Sequence, residues 1–183
     1  GANECMAGDD VRIVARTDRT VDICGIDNHE ITGLRIVTAG GVVNSQRGDI
    51  ILIFHQAAHV PGGKTIISSP QAKHFGTTVN YQSQMINKDG QSLHTLDGYT
   101  IPLKCVNGLP YMQIRPFFNK EWETLQHVVI TTDTEWDPCV LDNDFEEHPA
   151  NMSLNLASFK GGDSVDQVVP CFVHSILDNI VNL

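Results

Sequence analysis

Two-residue turn signals of the Asp-Gly and Asn-Gly type are the feature that most restricts the fold of this chain. Three of them lie between apolar or alternating runs: Asp89-Gly90, Asp97-Gly98 and Asn107-Gly108. These dipeptides favour the type I′ turn, whose twist matches that of antiparallel strands. The spacing therefore predicts a four-stranded antiparallel meander over residues 79–115, with strands at 79–86, 91–96, 99–106 and 109–114.

The preceding part of the chain also consists of short β-branched runs. These runs predict strands at 11–15, 20–24, 34–38, 42–46 and 49–55. Ala39-Gly40-Gly41 and Arg47-Gly48 separate the last three runs, and glycine readily adopts the positive φ that tight turns require. The pattern thus predicts a hairpin over 34–46 with Ala39, Gly40 and Gly41 at its tip.

Two short helices interrupt this β-rich pattern. The first follows Ile66, Ile67 and Ser68, with Ser69 as its cap, Pro70 at its first position and Gly76 as its stop. The second is predicted at 120–126, capped by Asn119, with a strand following at 127–132.

The last part of the chain has a different composition. Residues 142–147 carry four acidic side chains and no basic one, which predicts a solvated acidic linker over 138–163. Apolar residues from Val165 to Val181 then recur at three-four spacing, which predicts an amphipathic helix over 164–183. Proline disfavours a helix interior, so we expect a kink or a start near Pro170.

Charge is distributed unevenly along the chain. The net charge is −10, yet residues 1–120 carry 11 Lys and Arg against 10 Asp and Glu, whereas residues 121–183 carry 1 against 12. This balance argues against direct nucleic-acid binding through phosphate neutralisation. Arg12, Arg16 and Arg19 lie among acidic residues and are typical of a solvated surface. The longest apolar run, at 50–54, is far shorter than the ~20 residues of a membrane span, so no membrane partner is expected.

The simplest signatures of metal, nucleotide and hydrolase chemistry are missing. His55 and His59 have the spacing of a helical metal pair, but they close a predicted strand, no Glu follows His55 and no third ligand is evident. We therefore expect no metal site and no cofactor. The sequence also lacks the P-loop, the dinucleotide-binding glycine pattern and the nucleophile elbow.

Five widely spaced cysteines predict neither a disulfide framework nor a zinc knuckle: Cys5, Cys24, Cys105, Cys139 and Cys171. An odd number without any C-x-x-C is typical of a reducing compartment. Each thiol is interpreted as a small apolar filler, with a reactive or metal-binding thiol as the alternative.

Three elements in order carry a resemblance to a known family. They are Gly1-Ala2-Asn3 and the residues after it, the glycine-tipped hairpin at 34–46, and the segment 65–76. Together they resemble the aspartic protease region of copia-like retrotransposon Gag-Pol polyproteins. Those retropepsin-like proteases have an Asp-Ser/Thr-Gly-Ala active-site loop, then a flap hairpin, then an apolar pair that leads into a helix. Residues 96–103, 107–112, 127–132 and 134–138 look like the stretch between protease and integrase in one branch of these elements, so the resemblance covers about residues 1–142.

The resemblance implies a role for each of these elements. Gly1, Ala2 and Asn3 correspond to the active-site loop. Ala39, Gly40 and Gly41 correspond to the flap tip. Ile66, Ile67 and Ser68 correspond to the core segment before the helix, with Ser68 where retroviral enzymes have Gly. The implied fold is a retropepsin-like β-barrel, followed by the meander and the C-terminal amphipathic helix.

The implied organisation has four parts. Residues 1–78 form an N-terminally truncated retropepsin-like core, 79–137 the meander with its short helix and strand, 138–163 the acidic linker and 164–183 the amphipathic helix.

The catalytic carboxylate is the main departure from the family pattern. Retropepsin hydrolysis needs two aspartates that share one proton, one from each protomer of a homodimer. No Asp-Ser-Gly or Asp-Thr-Gly occurs in the chain. The expectation is therefore a piece of a polyprotein that starts just inside its active-site loop and is inactive as given, because the catalytic Asp lies upstream of Gly1.

The full-length form would be a dimeric aspartic endopeptidase acting on a polypeptide substrate, the polyprotein itself. Its expected location is the cytoplasm, a reducing compartment, including virus-like particles. A second hypothesis is a non-enzymatic β-rich interaction module, with the acidic linker and a C-terminal helix that docks to a partner or self-associates.

Overall fold

Three long antiparallel strands form the centre of the fold. The computed structural model describes residues 2–25, 30–82 and 90–138, and this part of the chain is mainly β. The central strands are β2 (Arg12–Cys24), β3 (Glu30–Ser45) and β4 (Gly48–His59). β3 lies between the other two and pairs with both.

Three shorter strands complete this six-stranded sheet. They are β1 (Cys5–Ala7), β10 (Ile114–Arg115) and β11 (His127–Val129). β1 and β11 run parallel to β4 along the edge that β3 does not occupy, and β10 pairs antiparallel with β3. The sheet therefore contains strands from both sides of the boundary expected between residues 78 and 79. Within the described residues the sheet does not close, so the expected barrel is replaced by an open mixed sheet.

The core lies on both faces of the central sheet. Ile50, Leu52 and Phe54 point to the larger apolar cluster, which also contains Val128 of β11. The alternate residues of β4, Ile51 and Ile53, join a smaller cluster with Phe117, against which Trp122 packs. Because successive strand residues point to opposite faces, covering both faces explains the uninterrupted apolar run at 50–54.

The predicted hairpin tip at Ala39, Gly40 and Gly41 is wrong. These residues lie inside β3, where all three are buried and paired with Phe54, Ile53 and Leu52 of β4. The glycines allow neighbouring strands to pack closely and do not form a turn. A Cβ on Gly41 would lie 2.5 Å from Ile114 Cγ1 and 2.9 Å from the Arg115 carbonyl oxygen, both in β10. The second predicted break is confirmed, since the β3–β4 turn falls at 46–47 and Gly48 has a φ of 105°.

Helix α1 (Ser69–His74) follows the apolar pair as predicted, with its cap shifted by one residue. The hydroxyl of Ser68, not of Ser69, accepts a hydrogen bond from the Gln71 backbone N–H at 3.2 Å. Pro70 lies at the second helical position, where its missing N–H costs nothing. Gly76 follows the helix with a φ of 97°, which confirms the predicted stop.

Helix α2 (Asn119–Thr124) also begins one residue earlier than predicted. Its cap is Phe118, whose backbone N–H donates to the Glu121 carboxylate at 2.7 Å. The side-chain oxygen of Asn119, the predicted cap, instead accepts from the Arg12 guanidinium at 2.9 Å. Neither described helix is long and apolar enough to cross a membrane.

The predicted meander is divided into two small sheets. The first is antiparallel, with strands β5 (Thr78–Asn80), β6 (Ser92–His94) and β7 (Thr100–Pro102); the second is the hairpin of β8 (Lys104–Val106) and β9 (Leu109–Tyr111). The run predicted as one strand at 99–106 is therefore two strands in different sheets.

Two of the three predicted turns are present within the described residues. Asn107 and Gly108 both have positive φ, as a type I′ turn requires, and they join β8 to β9. At Asp97-Gly98 the turn is shifted by one residue: the Gly98 N–H bonds to the Thr95 carbonyl, so Leu96 and Asp97 are at its centre, and Gly98 follows with a φ of 75°. Asp89, the acidic linker apart from its first residue, Pro138, and the C-terminal helix lie outside the described residues.

Candidate functional site

The residues that the resemblance assigns to the active-site loop lie beside the chain segment 131–138. Ala2 and Asn3 are described and Gly1 is not. The Asn3 carbonyl oxygen accepts a hydrogen bond from the indole Nε1–H of Trp136 at 2.8 Å, and Trp136 is buried. The Trp136 ring also contacts the His74 imidazole of α1, with 5.3 Å between ring centroids.

The segment Ile66–Ile67–Ser68 lies directly against the strand that follows Asn3. Met6 and Ile66 exchange two backbone hydrogen bonds, at 2.8 and 3.0 Å. The fully buried Ser68 donates its backbone N–H to Cys5 Sγ at 3.2 Å. Ile67 packs against the larger apolar cluster. The first and third elements of the resemblance are thus in direct contact, whereas residues 39–41 lie in the middle of the sheet.

Gln71 of α1 connects this contact to the central sheet. Its buried side-chain oxygen accepts the Cys5 N–H at 2.8 Å. Its amide nitrogen donates to the carbonyl oxygens of His55 and Gln56, at 3.4 and 3.1 Å. A single buried amide therefore satisfies backbone groups of both β1 and β4.

Next to Asn3 lies a polar cluster that sequence reasoning missed. It consists of Glu4, Arg19, Gln56 and Glu135. Arg19 donates to Gln56 Oε1 at 3.1 Å and lies 3.6 Å from the Glu135 carboxylate. Burial raises the pKa of Glu4 to about 7, and the nearby Arg19 opposes this rise. A carboxyl group that titrates near neutrality can exchange protons under physiological conditions.

Gln56 is the strained member of this polar cluster. Its φ of 52° is rare for a residue with a side chain. Its amide nitrogen donates to the Asp133 carbonyl at 2.8 Å, which joins β4 to the segment 131–138. No local sequence pattern predicts a left-handed glutamine inside a strand, which explains why the cluster was not anticipated.

His55 and His59 have different hydrogen-bond partners. His55 lies within β4, with its Nδ1 2.9 Å from the Thr38 hydroxyl, and His59 ends the strand 3.5 Å from an Arg16 nitrogen. Burial lowers the pKa of both imidazoles, and the Arg16 charge lowers that of His59 further. Among the described residues no group of three His, Cys, Asp or Glu side chains is arranged to hold a metal ion.

The cysteines of the described residues differ in environment. Cys5 is fully buried, and burial raises the pKa of its thiol to about 12, so it is an unreactive part of the core. Cys24 and Cys105 are exposed free thiols.

Two shallow grooves lie outside the polar cluster. One, of about 380 Å³, is lined by Arg12, Phe117, Trp122 and neighbouring residues, with the guanidinium of Arg12 stacked on the Phe117 ring. The other, of about 370 Å³, lies between α1 and β5 and includes Lys73 and Tyr81. Neither groove is lined by a residue that the resemblance assigns to the active-site loop, the flap tip or the core segment before the helix.

No family model, curated protein or solved structure matches this chain.

Proposed function

We propose that this chain is the part of a retroelement aspartic protease that follows the catalytic Asp-Ser/Thr pair. The observation that carries the proposal is the double hydrogen bond between Met6 and Ile66. It joins the strand after Gly1-Ala2-Asn3 to the apolar pair before α1, which are two of the three elements of the resemblance. No flap is assigned, because Ala39, Gly40 and Gly41 lie inside β3.

The chemistry follows from the charge of the catalytic pair. Two carboxyl groups that share a bound water cannot both ionise at short distance, so one stays protonated. The ionised carboxylate activates the water, while the protonated one donates to the peptide carbonyl. Each protomer of a homodimer supplies one aspartate from the residue two positions before Gly1. The present chain supplies the loop backbone after it and is inactive alone.

The proposal is tested by extending the chain upstream through the native residues. We expect the extension to contain Asp-Ser or Asp-Thr directly before Gly1, and the extended protein to form a dimer that cleaves polypeptides. Activity should be favoured at acid pH, between the two apparent pKa values of the coupled pair. Asp→Asn in the extension should abolish cleavage and leave the melting temperature unchanged.

Two results would contradict this function. One is peptidase activity from the 183 residues alone. The other is an extended dimer that cleaves equally well with Asn in place of Asp.

A non-enzymatic interaction module is the second candidate, and exposed apolar side chains favour it. Val106 and Tyr111 of the β8–β9 hairpin are 49% and 47% exposed, and Phe118 is 71% exposed. The register of the hairpin places Val106 and Tyr111 on the same face, and exposed apolar groups that lie near one another are typical of binding surfaces. A start codon directly upstream of Gly1, in place of an Asp-Ser/Thr codon pair, would favour this candidate over the protease.

A further inference from the structure

The segment 131–138, here called the strap, is held to the N-terminal part of the chain by a series of contacts. The Thr131 hydroxyl accepts from the His55 N–H at 2.7 Å and donates to the His55 carbonyl at 3.0 Å. The Asp133 carbonyl accepts from Gln56, and Glu135 lies near Arg19. These contacts fix the strap against β4 and β2 before it reaches Trp136.

Trp136 is the last of these contacts and the one nearest to Gly1-Ala2. Its side chain is 8% exposed, and its indole N–H bonds to the carbonyl of a residue 133 positions away in the sequence. The next fixed points along the N-terminal backbone are the Cys5 N–H, held by Gln71, and Met6, held by Ile66. Within the part of the chain that the structure describes, the hydrogen bond from Trp136 is therefore the one that fixes the N-terminal backbone closest to Gly1-Ala2.

We propose that Trp136 is a positioning residue for the active-site loop, and this role rests on the function proposed above. A hydrogen bond to the Asn3 carbonyl fixes the orientation of the peptide group between Asn3 and Glu4, and hence the direction in which the backbone enters the loop. Catalytic groups need positioning to within about 0.5 Å. A misplacement of about 1 Å can reduce the rate about 100-fold, even when its cause lies away from the reacting atoms.

The substitution Trp136→Phe separates the hydrogen bond from the packing. It keeps an aromatic ring beside His74 and removes the N–H donor. Trp122→Phe is the matched control, because Trp122 stacks on Phe117 in the smaller apolar cluster, away from Asn3.

The first measurement uses the 183-residue chain and amide hydrogen exchange. We expect Trp136→Phe to accelerate exchange about tenfold at the Cys5 and Met6 amides, which are hydrogen-bonded to Gln71 and Ile66, and to leave the β4 amides unchanged. We expect no such acceleration for Trp122→Phe. Unchanged exchange at Cys5 and Met6 in Trp136→Phe would overturn the positioning role, whether or not the protein is a protease.

The second measurement uses the chain extended upstream through its catalytic pair. Trp136→Phe should lower kcat about 10- to 100-fold with KM within about twofold, since the loop and not substrate binding is disturbed. Trp122→Phe should retain both constants. Full kcat in Trp136→Phe would overturn the catalytic consequence. An extended parent without any activity would instead overturn the proposed function, while the exchange experiment still decides whether Trp136 orders the segment.

Discussion

Gln71 Oε1 lies 2.8 Å from the backbone nitrogen of Cys5, a hydrogen bond that joins residues 66 positions apart and is buried from solvent. The other end of the same amide donates to the His55 and Gln56 carbonyls of β4. Because the partners are backbone groups of two different strands, the side chain holds β1, α1 and β4 in one arrangement. Losing its donors leaves the buried Gln56 carbonyl without this partner, which costs about 1–3 kcal/mol, whereas the His55 carbonyl keeps its hydrogen bond from the Thr131 hydroxyl.

Gln71→Glu tests this arrangement with almost no change in shape. The variant keeps the acceptor for Cys5 but places a carboxylate against two carbonyl oxygens. We expect a loss of about 2–3 kcal/mol in the free energy of unfolding at pH 7, with partial recovery at pH 4, where a protonated carboxyl donates again. Gln46→Glu is the matched exposed control. Equal destabilisation by both variants in urea titrations would contradict the role assigned to Gln71.

Gly41→Ala tests the reason given for the buried glycines. The added methyl group would overlap Ile114 Cγ1 and the Arg115 carbonyl oxygen of β10. We expect a loss of about 1–3 kcal/mol, the usual cost of overpacking. Ile114→Ala removes one of the two obstacles, so the double variant should lose less than the sum of the single variants. Strict additivity in thermal unfolding would mean that Gly41 is needed for another reason.

The sequence predicted correctly those turns and helix ends that depend on only a few neighbouring residues. Asn107-Gly108 and Gly76 occupy the left-handed conformations expected of them, and Pro70 lies in the first turn of α1. The cap of α1 differs from the predicted one by one residue because Ser68 and Ser69 are chemically equivalent in sequence. Only burial against Cys5 selects Ser68.

Long-range contacts determined what the sequence did not reveal. Ala39-Gly40-Gly41 has the composition of a turn, but β10, about 70 residues further along, requires the space above Gly41. Likewise, the pKa of Glu4 and the hydrogen bond from Trp136 to Asn3 depend on residues that become neighbours only when the sheet assembles. Of the candidate site, the sequence therefore pointed to the segments around Asn3 and residues 66–68, but it predicted neither the hydrogen bonds between Met6 and Ile66 nor the polar cluster nor the strap.

Val128→Ala tests whether β11 is part of the same folding unit as β4. Val128 is fully buried beside Leu52, although the sequence assigned them to separate regions. We expect Val128→Ala to lower the free energy of unfolding of the whole described sheet by about 1–3 kcal/mol. Val106→Ala, at a half-exposed position of β8, should change it by less than about 0.5 kcal/mol. A separate transition for β11, seen by hydrogen exchange, would contradict a single unit.

The pH dependence of stability should report the burial of Glu4. Its folded pKa of about 7 lies above its ordinary value of 4.5, because burial disfavours the charged form. Between these two values the folded state binds a proton that the unfolded state has lost, so stability falls as the pH rises from about 4.5 to 7 and is constant above. Below about 4.5 both states are protonated and the effect disappears.

Glu4→Gln removes this titration while keeping the size and polarity of the side chain. The variant should be more stable than the parent at pH 8, by about 1 kcal/mol once solvent screening of the partly exposed group is taken into account, and equally stable at pH 4. Glu30→Gln, at the exposed start of β3, reports the effect of the same charge change without burial. The measurement is chemical denaturation at a series of pH values. A Glu4→Gln variant less stable than its parent at pH 8 would show that the attraction between the Glu4 carboxylate and the Arg19 charge outweighs the cost of burying Glu4.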